Sequence, residues 1–384
     1  MSTFDFPVGW YDFHPTQIFN YQLNRWHSMG YLSEARCREA GSQIRKWKDW
    51  PWACEKQAKA SKGLERAFWY RAAEFFVSFG DPEKERFYTA FSQAFNSWMQ
   101  ASHPEVTSHS VPYENRALPV LEVPSVGPEQ STVLLFGGFD SFKEEFFSLA
   151  TVLADGGHRV LIFEGPGQGA ALHEHGLPMH YAWEKPTGAV LDHFGVADAT
   201  LIGISMGGWL CFRAGAFEPR IRRIIASSIA YDYLLVPPKW AQRMAKFMLK
   251  LPGLIRFAAR MKAALMPQER WGMQNMQGIF REKDSYQSML KMLQLNAENQ
   301  QAHRVTQDVR IHTGAEDHFI PLKMHHLQVV ALTNAHSLSE CIYTRADHAQ
   351  NHCQVGNWGL AARDMVDWVD QCLVPKPAQH EVDS

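Results

Sequence analysis

No uninterrupted apolar run of about 18 residues occurs in the sequence, so no transmembrane helix is expected. Charge bias is missing too. The 38 Lys and Arg set against 40 Asp and Glu leave a formal net charge of −2 and a pI near 6.8. That balance gives no electrostatic footprint for nucleic acid or an acidic membrane surface, and neither is expected as a partner. Residues 1–20, with Asp5, Pro7, Asp12 and Pro15, lack the basic and apolar regions of a secretory signal. Cys37, Cys54, Cys211, Cys341, Cys353 and Cys372 are scattered, with no C-x-x-C pair. Together these point to free thiols in a reducing cytoplasm. No internal repeat or low-complexity tract appears, and only the tail 375–384 reads as disordered.

What is present is ordinary globular composition, 46% hydrophobic and 20% charged over 384 residues. Such a length suits an α/β core with one or two helical additions. The organising stretch is Gly203-Ile204-Ser205-Met206-Gly207, which follows the apolar run Ala199-Thr200-Leu201-Ile202 and precedes Gly208-Trp209-Leu210-Cys211-Phe212. A buried strand thus enters a Gly-x-Ser-x-Gly turn and leaves as a helix, the context that separates a nucleophile elbow from a chance motif. Glycines two positions either side of the serine remove side chains that would collide in so sharp a bend. The hydroxyl is lifted above the sheet, at a helix N-terminus whose dipole favours a developing oxyanion.

Along the chain, residues 1–105 read as an N-terminal helical domain. Ser33 to Trp47 and Leu64 to Phe79 carry helical apolar spacing, and Asp81-Pro82-Glu83 is an N-cap signal opening Glu83 to Met99. His14, His27 and the tryptophans of this segment are more simply core than ligand contacts. The first part of the α/β core spans 106–229. It opens on two antiparallel strands, Val106 to Val111 and Leu118 to Val123. Thr132 to Phe136, Arg159 to Phe163 and Ile221 to Ala226 are continuous apolar runs, expected for parallel strands buried on both faces. The second part, 304–374, supplies Val309 to His312, Glu340 to Thr344 and a closing helix, Gly359 to Cys372. The insertion 230–303 is too long for an ordinary connection and is helical in period. Between Trp240 and Asn296 it holds eight of the fifteen methionines, which reads as a cap lining an apolar pocket. The fold class is therefore a doubly wound, mostly parallel sheet with a helical cap and an N-terminal helical domain.

A serine hydroxyl needs a base to take its proton and an acid to orient that base. The acid is expected after a late strand, in Thr313-Gly314-Ala315-Glu316-Asp317-His318-Phe319-Ile320-Pro321, with Asp317 preferred and Glu316 the alternate. The histidine is expected after the last strand, where His348 and His352 compete. Four residues apart, they also have metal-ligand spacing, but the H-E-x-x-H pattern is absent, so no metal and no cofactor is expected. Spacing alone leaves both histidines open. The backbone N–H groups of Met206 and Phe139 are the candidate oxyanion donors, Phe139 lying in Gly137-Gly138-Phe139-Asp140-Ser141-Phe142-Lys143-Glu144-Glu145. Asp140, Glu144 and Glu145 concentrate acid beside that loop, so that one of them becomes a substrate-binding or proton-transfer candidate. Phe163-Glu164-Gly165-Pro166-Gly167-Gln168-Gly169 lacks the lysine and Ser/Thr of a phosphate loop and reads as a tight turn packed beside the elbow.

These strings, together with His352-Cys353-Gln354-Val355-Gly356-Asn357, make residues 105–372 resemble the α/β-hydrolases. More narrowly, the likeness is to the branch holding 2,6-dihydroxypseudooxynicotine hydrolase and the polyketide-shortening C–C hydrolases (fungal heptaketide hydrolyase, bacterial anthraquinone-pathway lyase). The resemblance implies that His352 is the catalytic histidine and His348 the alternate, and that Glu144-Glu145 belong to the site. It also implies C–C cleavage next to a carbonyl in a small aromatic or polyketide-derived substrate, free or carrier-protein-bound, by a homodimer. A carboxylesterase with the same triad and a non-catalytic binding protein of the same fold are the competing readings.

Overall fold

Apolar runs that alternate with amphipathic segments become, in the computed structural model, one eight-stranded sheet flanked by helices. The structure describes residues 4–374, so the expected disordered tail 375–384 lies outside the described residues. Five helices come first: α1 (Gln17–Ser28), α2 (Glu34–Gln43), α3 (Asp49–Ala60), α4 (Gly63–Phe75) and α5 (Pro82–Ser102). The expected helix from Ser33 to Trp47 is shorter, because Ile44 turns extended (φ −89°, ψ 113°). The start of α5 follows the proline signal, with the Asp81 side chain accepting from the Glu83 N–H. Trp26, Trp50 and Trp69 are fully buried in this helical region. At about 25 cal/mol per Å² and roughly 150–250 Å² of ring surface, each stabilises by about 4–6 kcal/mol before its ordering cost.

The sheet follows: β1 (Thr107–Tyr113), β2 (Arg116–Val123), β3 (Ser131–Phe136), α6 (Phe147–Asp155), β4 (His158–Phe163), α7 (Gly169–His173), α8 (Glu184–Phe194), β5 (Ala199–Ile204), α9 (Met206–Gly215) and β6 (Ile221–Ser227). Then come α10 (Lys239–Met248), α11 (Pro252–Leu265), α12 (Pro267–Phe280), α13 (Ser285–Met292) and α14 (Ala297–Gln300). The chain closes with β7 (Asp308–Gly314), α15 (Lys323–Ala331), β8 (Ser337–Tyr343) and α16 (Trp358–Leu373). Strand order is β1-β2-β4-β3-β5-β6-β7-β8. β1 and β2 are antiparallel to each other, β2 is antiparallel to β4, and every pairing from β4 to β8 is parallel. The interior strands β3 and β5 are buried along nearly their whole length, which is why their sequences do not alternate. The doubly wound architecture gathers the ends of β3, β5, β7 and β8 at one edge, where connecting loops can meet. No helix among the described residues is long and apolar enough to cross a membrane.

Candidate active site

The elbow is strained as its sequence requires. Ser205 has φ 62° and ψ −126°, between β5 and α9, a conformation that non-glycine residues seldom adopt. A Cβ on Gly203 would stand 2.1 Å from the Gly207 carbonyl oxygen, and one on Gly207 would stand 2.7 Å from that of Gly137. Both glycines are needed for close approach of backbone to backbone.

Ser205 Oγ lies 2.9 Å from His352 Nε2, and His352 Nδ1 lies 2.6 Å from Asp317 Oδ2. The other carboxylate oxygen of Asp317 accepts from the N–H groups of Phe319 (2.9 Å) and Ile320 (2.8 Å), so the acid is fixed by its own loop beyond β7. Burial alone would depress the His352 pKa, but the Asp317 carboxylate and the Cys353 sulfur outweigh it and hold the imidazole well above 6.5. The histidine loop is pinned at several points. The Cys353 N–H donates to Ser228 Oγ at 2.7 Å, Ser227 Oγ–H donates to Gln354 at 2.7 Å, and Asn357 caps α16. The polar residues of the His-Cys-Gln-Val-Gly-Asn string therefore hold the imidazole in place.

Other candidates fall elsewhere. Glu316 is exposed and paired with Arg345 at 2.6 Å and 2.7 Å, away from Ser205. His348 is exposed, with left-handed backbone (φ 56°), after the short turn Arg345–Asp347. His318 packs against Tyr21 and Phe319, and burial, followed by the neighbouring His352, pushes it down to about 4. Among the described residues no cluster of three His, Cys, Asp or Glu is placed to hold a metal ion.

The Met206 N–H opens α9 and the Phe139 N–H lies in the facing loop; among the described residues neither donates to a protein acceptor. A Cβ on Gly138 would come within 2.8 Å of the Met206 nitrogen, so this glycine lets the two loops close on each other. Gln168 Nε2 donates to the carbonyls of Gly137 (2.7 Å) and Gly138 (3.2 Å), so the Phe163–Gly169 turn braces that loop. Burial, opposed by Lys143, pushes Glu164 in this turn up to about 7.

Of the three acids near the loop only Asp140 borders the cavity, where it pairs with Arg25 at 3.2 Å. Glu144 and Glu145 correct the expectation: neither reaches the cavity. Glu144 is taken by Lys143 at 2.6 Å. Glu145 is fully buried, accepting from Trp26 Nε1 (2.8 Å), Arg25 Nη2 (2.8 Å) and Arg71 Nε (3.0 Å). Two guanidinium groups compensate one buried carboxylate, and together they fasten α1 and α4 to the loop after β3.

The cavity beside Ser205 holds about 250 Å³ and is mostly apolar. Phe319, Val355, Met206 and Phe139 surround the serine and histidine, and Tyr233, Trp271 and Met292 form the roof. Of the eight methionines expected to line the pocket, only Met292 does; Met244, Met261 and Met266 face outward. One wall was not foreseen. Tyr21, Gln22 and Arg25 of α1 line it with Met29 just past the helix end, and the Tyr21 hydroxyl donates to the His352 carbonyl at 3.2 Å. Their shared helix face was visible in the sequence, but their partners lie more than a hundred residues away.

With this geometry in hand, comparison with known proteins gives the family. Residues 133–340, more than half of the chain, match the model described as "Alpha/beta hydrolase family", and the chain belongs to that family. The alpha/beta hydrolase psoB of Aspergillus fumigatus is 34% identical over 206 residues, 45% of this chain and 46% of that one. The hydrolyase ccsE of Aspergillus clavatus is 34% identical over 141 residues, 32% of each. The chain thus spans less than half the length of these curated relatives. The crystal structure of 2,6-dihydroxy-pseudo-oxynicotine hydrolase superposes with a TM-score of 0.68 at 19% identity, covering 91% of this chain and 95% of that one, and shares its fold.

Proposed function

We propose that the protein is a serine-triad hydrolase that cleaves a C–C bond next to a carbonyl in an aromatic or polyketide-derived small molecule. The observation that carries this reading is the continuous contact from Ser205 Oγ through His352 to Asp317 beside a mostly apolar cavity. Ser205 Oγ attacks the carbonyl while its proton passes to His352 Nε2. The Met206 and Phe139 N–H groups take the oxyanion charge. Collapse of the adduct breaks the bond to the neighbouring carbon, whose electron pair leaves as an enolate and takes its proton from the His352 imidazolium, which returns the imidazole to its neutral form. Water then attacks the acyl-serine, with His352 as base, and releases the acid. The aromatic lining suits a flat substrate and excludes bulk water. In this reading the core is 106–229 with 304–374, while 1–105 supplies a wall of the pocket and 230–303 its roof.

The test is Ser205→Ala assayed on a panel of aryl β-diketones, with products identified by mass spectrometry. Loss of turnover by about 10³-fold or more supports the covalent route, and a loss under tenfold rejects it. Faster turnover of p-nitrophenyl acetate than of every diketone would favour the esterase reading.

A further inference from the structure

Between Tyr233 and Gln268 the chain carries seven Lys or Arg and no Asp or Glu, although the whole molecule is nearly neutral. The segment forms α10 and α11, and these two helices bury almost nothing: α10 has no buried residue and α11 only Ala263. On α10, Trp240, Met244 and Phe247 recur at helical spacing and continue to Leu251, with exposures of 69%, 55%, 63% and 38%. Leu254, Phe257, Met261 and Leu265 do the same on α11, at 46%, 62%, 46% and 75%. With Met266, nine of the seventeen large apolar side chains exposed among the described residues lie in these 27 positions. Isolated exposed apolar groups need no explanation, but a contiguous set of this size does.

Cations run alongside. Lys239, Arg243, Lys246 and Lys250 each precede an apolar position by one residue, a rotation of about 100° around the helix. Arg256 and Arg260 repeat the relation on α11. Among the described residues only Arg256 of the seven forms an ion pair, with Asp284 at 2.5 Å. A two-fold contact with a second copy would set these cations against themselves, so the occupant they complement is anionic. A bilayer surface accounts for both stripes, since Trp, Phe and Leu enter the headgroup boundary while Lys and Arg reach lipid phosphates.

We infer that α10 and α11 form a docking surface for an anionic lipid membrane, on which the protein lies without spanning it. The segment joins two residues that line the cavity, Tyr233 and Trp271, and α11 packs on α12, which carries Trp271. An apolar molecule held in the bilayer would therefore be concentrated close to the pocket. Binding itself does not depend on the reaction proposed above.

The full chain is sedimented with large unilamellar vesicles of 70% phosphatidylcholine and 30% phosphatidylserine, and with phosphatidylcholine alone. Each Lys or Arg near an anionic surface contributes roughly fivefold to partitioning. Partitioning onto the anionic vesicles is expected to exceed that onto neutral ones by at least tenfold and to fall in 0.5 M NaCl. Lys246→Glu/Arg260→Glu and Phe247→Glu/Phe257→Glu should each weaken it at least tenfold without lowering the melting temperature. The inference is overturned if the wild-type chain stays in solution with anionic vesicles, or if either double variant binds as wild type. It is likewise overturned if the patch instead mediates a dimer that Phe247→Glu/Phe257→Glu disperses, or captures a purified acidic carrier protein but no vesicles.

Discussion

Asp317→Asn isolates what one oxygen atom does. The asparagine oxygen can still accept from the Phe319 and Ile320 N–H groups, so the loop beyond β7 keeps its shape. What changes is the 2.6 Å contact to His352 Nδ1, where a carboxylate oxygen gives way to an amide N–H₂. That contact holds the imidazole pKa well above 6.5 against the opposing effect of burial. A charge-assisted hydrogen bond of this kind is worth about 1.5–3 kcal/mol, which corresponds to roughly one to two pKa units. His352 serves as a base only when neutral, so wild-type kcat/KM should lose activity as pH falls through a value above 6.5. In the variant the imidazolium is less favoured and the acid limb moves to lower pH. The rate itself also falls, because the amide N–H₂ favours the tautomer that turns an N–H toward Ser205; a loss of about 10³–10⁴-fold in kcat is expected. Stopped-flow burst kinetics with p-nitrophenyl acetate from pH 5 to 9 measure both quantities. An acid limb that stays in place, with kcat reduced less than tenfold, would refute the coupling of Asp317 to His352.

Glu316→Ala should change turnover by less than twofold and leave the melting temperature where it is, since its partner Arg345 is exposed with it; a hundredfold loss would exchange its role with that of Asp317. Glu145→Ala leaves Arg25 and Arg71 buried without their shared carboxylate and should cost about 3–5 kcal/mol, read by urea unfolding; a cost below 1 kcal/mol would mean the cluster does not fasten α1 to the loop. Gly207→Ala places a methyl 2.7 Å from a backbone oxygen and should lower the melting temperature and activity together, by about 1–3 kcal/mol of overpacking, while Gly253→Ala, which meets open space, should lower neither. Asp140→Asn, at the cavity edge, removes the charge that pairs with Arg25 and should raise the KM for diketones at least threefold while kcat falls less than threefold; a loss of kcat above a hundredfold would give Asp140 a part in the chemical step.

Strands buried on both faces announce themselves as unbroken apolar runs, so β3, β4, β5 and β6 were legible almost to the residue. The elbow was legible because strain demands glycine at fixed offsets, and Asp317 because its loop is built from local turn chemistry. His352 could not be separated from His348 by spacing, since what places it beside Ser205 is a set of hydrogen bonds to Ser227 and Ser228 from a distant strand end. Glu144 and Glu145 are adjacent in sequence, yet one pairs with its neighbour Lys143 and the other with arginines 74 and 120 positions away, a distinction only tertiary structure makes. Whole-chain charge concealed α10 and α11, because averaging cancels a local excess of cations against acids elsewhere.

The α1 wall divides labour between segments far apart in the chain. Tyr21, Gln22, Arg25 and Met29 border the chamber yet contribute none of the Ser205–His352–Asp317 contacts. Changes at Gln22 and Met29 can retune which molecules fit while Tyr21 keeps its hydrogen bond to the His352 carbonyl and Arg25 its pairing with Glu145. New selectivity is thus open to the protein at two positions that touch substrate space but carry neither of those tethers, more than 170 residues before Ser205.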